Sequence, residues 1–198
     1  MTSPTPIRLG GVAAMLGGTM WVLKGGAIML GFPDPNLFVP AQLFFALGLL
    51  GLHAWLKGWD GWLVRIGGFL AYAAVALSVV NAPYSLFFEE DGVQLPFPFN
   101  VSYGVAALSI FVGLVLLGIA TLRAENLPPH WRALPLVIGL SALLPVWVLA
   151  FIHLEVPVVV IGAAWMLLGY ILCSERAVGA AGCTRGEEAN SSVPASRG

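Results

Sequence analysis

Six long apolar runs separated by short polar stretches leave few folds open to this chain. They cover roughly residues 7–31, 40–56, 63–81, 101–122, 134–152 and 157–173. About 20 apolar residues are enough to cross the hydrocarbon core of a bilayer as a helix. Lipid offers no hydrogen bonds, so a spanning segment must satisfy its own backbone, and a helix does so within one segment. The expected fold is therefore all-α, a six-transmembrane-helix bundle occupying residues 1–173 as one integral membrane domain. Composition agrees: only 10% of the residues are charged, against about 25% in soluble domains. The first run reads as a span and not as a signal peptide, because it is long, is broken by glycine pairs, and has no small-x-small cleavage site before Pro33.

Prolines and glycines punctuate the runs. Phe32-Pro33-Asp34-Pro35-Asn36 is expected to be a tight turn, Pro40 to sit in a first helical turn, and Pro83 to end the third span. The longest loop would then run from Pro83 to Asn100. Pro145 would kink the fifth span, and the link His153 to Val156 would lead into the sixth. Residues 174–198, rich in Gly, Ala and Ser, read as a disordered cytoplasmic tail.

An even number of spans puts both termini on one side, and basic residues choose the side. Arg8, Lys57, Arg65, Arg123, Arg132, Arg176, Arg185 and Arg197 all fall at the termini or in the second and fourth loops. The other three loops hold acids only: Asp34, Glu89, Glu90, Asp91 and Glu155. Loops rich in Lys and Arg stay cytoplasmic, so both termini are expected inside. The tryptophans at 55, 59, 62 and 131 suit an interfacial belt on that side. A net charge of −1 offers no electrostatic case for nucleic acid.

One charge stands inside a span. At 100° per residue, Gly10, Ala13, Ala14, Gly17, Trp21, Lys24 and Ile28 share a face of the first helix. Its lower part is made of small residues that let another helix approach closely. Lys24 therefore has two readings. It is a functional intramembrane lysine, or it snorkels to the interface or sits in a structural ion pair. Lys24, Asp34, Asn81, Glu89, Asn100, His153 and Glu155 would gather in the outer leaflet. A loop acid or Glu155 would supply the counter-charge, and a neighbouring histidine could bind an ion or relay a proton. The opposing reading is that the loop carboxylates are simply solvated.

Other chemistry is poorly supported. His153 and Glu155 lack a third metal ligand, and Glu89-Glu90-Asp91-Gly92 lacks the alternating ligands of a calcium loop. Cys173 and Cys183 have neither CxxC nor metal-ligand spacing. No catalytic set, metal site or cofactor site is expected.

The Gly118-Ile119-Ala120-Thr121-Leu122-Arg123 junction with Leu127-Pro128-Pro129-His130-Trp131-Arg132 resembles one in small multi-spanning bacterial inner-membrane proteins of unassigned function. Gly51-Leu52-His53-Ala54 and the N-terminal glycine pairs are similar in style. The resemblance implies a bacterial inner-membrane location and assigns no residue a role.

Three function classes follow, in order of expectation. The first is a non-enzymatic protein acting by helix packing, with the bilayer and a second copy (a homo-oligomer) or another membrane protein as partners. The second is a small-solute or ion transporter using the polar cluster around Lys24. The third is an intramembrane enzyme using His153 and Glu155.

Overall fold

A computed structural model of the chain describes residues 5–59, 61–88, 97–124, 131–143 and 155–174. It contains α1 (Thr5–Met29), α2 (Phe38–Trp55), α3 (Trp62–Phe88), α4 (Phe99–Ala124), α5 (Leu134–Leu143) and α6 (Val156–Cys173). All except α5 are long and apolar enough to cross a membrane. The helices are apolar almost all the way round, as expected where the surroundings are as apolar as the core. Large apolar side chains such as Leu9, Phe69, Leu108 and Tyr170 face outward, while Phe45, Leu49, Leu114, Ile161 and Trp165 are fully buried.

The helices form a closed circuit, each packing on the next in the chain except that α1, not α5, is the main neighbour of α6. α1 lies between α2 and α6, α3 packs on α2 and α4, and α5 joins α4 to α6. α2 is the hub, touching α1, α3, α4 and α6.

Paired glycines explain how α1 fits between two neighbours. Consecutive helical residues differ by 100°, so in the pairs 10–11 and 17–18 one member faces α2 and the other α6. A Cβ on Gly10 would lie 2.3 Å from the Gly51 Cα of α2, and one on Gly11 would lie 2.8 Å from the Gly169 carbonyl of α6. Seven residues on, Gly17 meets the Phe45 ring, and a Cβ on Gly18 would lie 2.4 Å from the Gly162 carbonyl. Another seven residues bring Gly25 against Val159. The seven-residue repeat keeps each seam on one face, and the missing side chains let the backbones touch.

The α1 terminus follows its sequence. Gly31 adopts φ 81°, its N–H donates to the Ile28 carbonyl, and the Phe32 N–H donates to the Ala27 carbonyl. These two bonds form a Schellman cap, which glycine makes at no steric cost. Pro83 behaves otherwise, for α3 continues past it to Phe88. The expected loop from Pro83 to Asn100 is shorter by that turn. Pro83 is exposed and Val79 is 52% accessible, so the missing bond to the Val79 carbonyl falls on the outer side of α3. The fifth span is described only as far as Leu143, so the Pro145 kink lies outside the described residues, as does the expected tail from residue 175 onward.

Candidate functional site

The polar groups of interest lie at the end of the bundle where α1 finishes, α2 begins, α3 finishes and α4 begins; we call it the α1–α2 end. The α1–α2 turn folds back over α1, and there Lys24 Nζ makes a salt bridge with Asp34 Oδ2. The Lys24 side chain is 12% exposed and that of Asp34 49%. Asp34 is held in turn by its own loop, since Oδ1 accepts the Asn36 N–H at 3.1 Å while Asn36 takes φ 45°. Asparagine tolerates that left-handed conformation better than most residues. The acid that meets Lys24 is thus local in sequence, ten residues on.

Glu155 is the residue just before α6 and caps nothing with its side chain. Its carbonyl oxygen lies 3.2 Å from where a Gly25 Cβ would stand, so its backbone abuts α1 next to Lys24. Glu89 and His153 lie outside the described residues.

Asn81 belongs to a second, deeper group. It is 4% exposed, and the Ser102 hydroxyl of α4 lies 2.7 Å from its Oδ1. The same hydroxyl lies 2.9 Å from the Phe99 carbonyl, and its single proton serves one acceptor at a time. One residue further along α4, the Tyr103 carbonyl accepts Gln42 Nε2 of α2 at 3.1 Å. Gln42 is 3% exposed, and Ser78, one turn below Asn81, is fully buried.

What marks this layer is what it leaves unpaired. Gln42 Oε1, Asn81 Nδ2 and Ser78 Oγ are buried and have no hydrogen-bond partner among the described residues. A buried polar group without a partner costs about 1–3 kcal/mol. Such groups are rare enough in native proteins that each needs an explanation, of which a bound water or ligand is one.

Aromatic packing fixes the layer in place. Phe38 and Phe45 stand on either side of Gln42 along α2. Trp21 of α1 packs on both, with centroids 5.2 and 5.1 Å away. Phe38 also meets Tyr103 at 5.1 Å, and Phe45 stacks on Trp165 of α6 at 4.6 Å. Trp21 Nε1 and Trp165 Nε1 also have no partner among the described residues. Gln42 is thus flanked along α2 by two rings that are themselves packed against α1, α4 and α6.

Chemically the layer offers one carbonyl acceptor, one amide N–H₂ donor and one hydroxyl, none of which titrates near neutral pH. These atoms are suited to hydrogen bonds with an uncharged partner and not to acid–base chemistry near neutral pH. Among the described residues no group of three or more His, Cys, Asp or Glu could hold a metal ion. At the other end of the bundle, the His53 ring packs against Gly68 and meets Tyr72 edge-on at 6.2 Å.

Sequence reasoning reached Lys24, Asp34 and Asn81 and overlooked Gln42, Ser78 and Ser102. Gln42 had a usable signal, being the one amide side chain in its span, and polar side chains inside spans are functional candidates. Ser78 and Ser102 had none, because helical serines commonly bond their own backbone. The chain matches no protein-family model, no curated protein and no solved structure.

Proposed function

We propose that this multi-pass membrane protein is a non-enzymatic carrier or channel for a small uncharged polar solute, which engages the layer formed by Gln42, Ser78 and Asn81. One observation carries the reading: two amide side chains, each at least nine-tenths buried, both keep a hydrogen-bonding atom without a partner among the described residues of an apolar bundle. Structural amides are normally satisfied in full. The glycine seams that favoured a helix-packing role are taken up by α2 and α6 of the same chain, which shifts the weight toward binding.

In this reading the segment after Leu143 completes a sixth crossing. The basic residues at the termini and in the second and fourth loops hold both termini in the cytoplasm, so the layer lies in the outer leaflet. The Lys24–Asp34 pair then sits at the outer rim, where it secures the turn above the site. A bacterial inner membrane is the location that the sequence resemblance implies.

The test is stopped-flow light scattering of proteoliposomes given an inward gradient of urea or glycerol. Wild-type vesicles should relax several-fold faster than protein-free ones, and Asn81→Leu should remove most of that difference. Wild-type vesicles no faster than protein-free ones for either solute would overturn the reading.

A further inference from the structure

α1 and α3 both pack on α2 but leave a groove between them, floored by α2. Its volume is about 560 Å³, and Leu9, Ala13 and Leu16 of α1, Leu47 and Leu50 of α2, and Tyr72 of α3 are among the residues that line it. That volume lies within the range of ligand sites, about 300–1,000 Å³. Leu9 is 64% and Tyr72 62% exposed, so the groove opens sideways. On α2 it lies on a different face from Gln42 and runs from Phe44 toward the opposite end of the bundle.

We infer that this groove holds one acyl chain of an anionic phospholipid whose phosphate is met by Lys57 and Arg65. Length selects the occupant. The groove runs along α1 from Pro6 to Leu16 and along α2 from Phe44 to Ala54. Each wall is eleven residues long, and its ten steps span about 15 Å at 1.5 Å per residue. The hydrocarbon core is about 30 Å thick, so the groove is one leaflet deep. A spanning helix of a second copy or another protein would need twice that length, whereas a lipid tail needs one leaflet.

Charge selects the headgroup. Lys57 follows the groove residue Ala54 by three positions and is exposed just beyond the α2 terminus. Arg65 is also exposed and lies seven residues before Tyr72, so both share one face of α3. Two cations therefore stand at the end of the groove where the headgroup of that leaflet would lie. The exposed Trp59 and Trp62, 42% and 63% accessible, sit between them in the same turn, and indoles favour the headgroup level.

The full-length protein in a mild nonionic detergent provides the test. Thermal unfolding is followed with dioleoyl-phosphatidylglycerol or dioleoyl-phosphatidylcholine added at equal mole fraction. The wild type should gain several degrees more from the glycerol lipid than from the choline lipid. Lys57→Gln/Arg65→Gln should lose that difference, and Leu9→Trp, which fills the groove from an exposed position, should lose the response to both lipids. Equal shifts with both lipids in the wild type, or a preference that survives the double substitution, would overturn the inference. So would a dimer in lipid-free detergent that Leu9→Trp dissociates, because the groove would then belong to a second copy.

Discussion

Replacing Gly10 with alanine should destabilise the bundle even though alanine is the better helix former. A Cβ at Gly10 would lie 2.3 Å from the Gly51 Cα, 2.9 Å from the Gly51 nitrogen and 3.3 Å from the Leu47 carbonyl oxygen. All three are backbone atoms, so no side chain can rotate away. To restore an ordinary contact of 3.4 Å, α1 and α2 must separate by roughly 1 Å, which loosens the packing above and below. Overpacking of this kind costs about 1–3 kcal/mol, and removing a helical glycine returns about 0.5–1 kcal/mol. The net loss should be about 0–2.5 kcal/mol. Gly26 provides the control, since a Cβ there meets nothing within 4 Å; Gly26→Ala should be neutral or stabilising by up to about 1 kcal/mol. Unfolding in mixed detergent–SDS micelles, followed by circular dichroism, gives both values. Equal stability of the two variants would refute the claim that backbone contact at Gly10 holds α1 against α2.

Two other predictions concern the rim and the topology. Asp34→Asn should lower folding yield more than Lys24→Met/Asp34→Asn, because the single substitution leaves a largely buried ammonium without its partner; a double-mutant cycle on the half-exposed pair should give a coupling of about 0.5–1 kcal/mol. In a chain whose Cys173 and Cys183 are serine, Asn36→Cys in the α1–α2 turn and Gly58→Cys in the α2–α3 turn should react with a membrane-impermeant maleimide from opposite faces of oriented vesicles. Labelling of both from one face would contradict the crossing of α2.

Helices and their ends were largely legible because single residues decide them. Gly31 stops α1 where a residue able to adopt positive φ is required, and Pro40 falls in the first turn of α2. Pro83 misled because its effect depends on which side of the helix it occupies, and one sequence does not reveal that side. The glycine pairs were visible as contact surfaces, but their division between α2 and α6 depends on which helices flank α1. The same ignorance hid the polar layer. Asn81 and Gln42 come from different helices and meet adjacent residues of α4, a convergence fixed by tertiary packing. Lys24 stands out in the sequence as a charge in a span, whereas its pairing with Asp34 depends on the fold-back of the α1–α2 turn.

On the proposed reading, Gln42 serves the solute it binds and not the stability of the bundle. The most direct measurement is the unfolding free energy of Gln42→Met, a substitution of similar length that removes the unpaired Oε1. The α2–α4 bond to the Tyr103 carbonyl, worth about 1 kcal/mol, is lost, and a desolvation penalty of about 1–3 kcal/mol is relieved. Gln42→Met should be as stable as the wild type or more so, by up to about 2 kcal/mol, and its urea and glycerol permeability should fall toward that of protein-free vesicles. A variant destabilised by more than about 1 kcal/mol with unchanged permeability would contradict that reading, and would make Gln42 a structural link between α2 and α4.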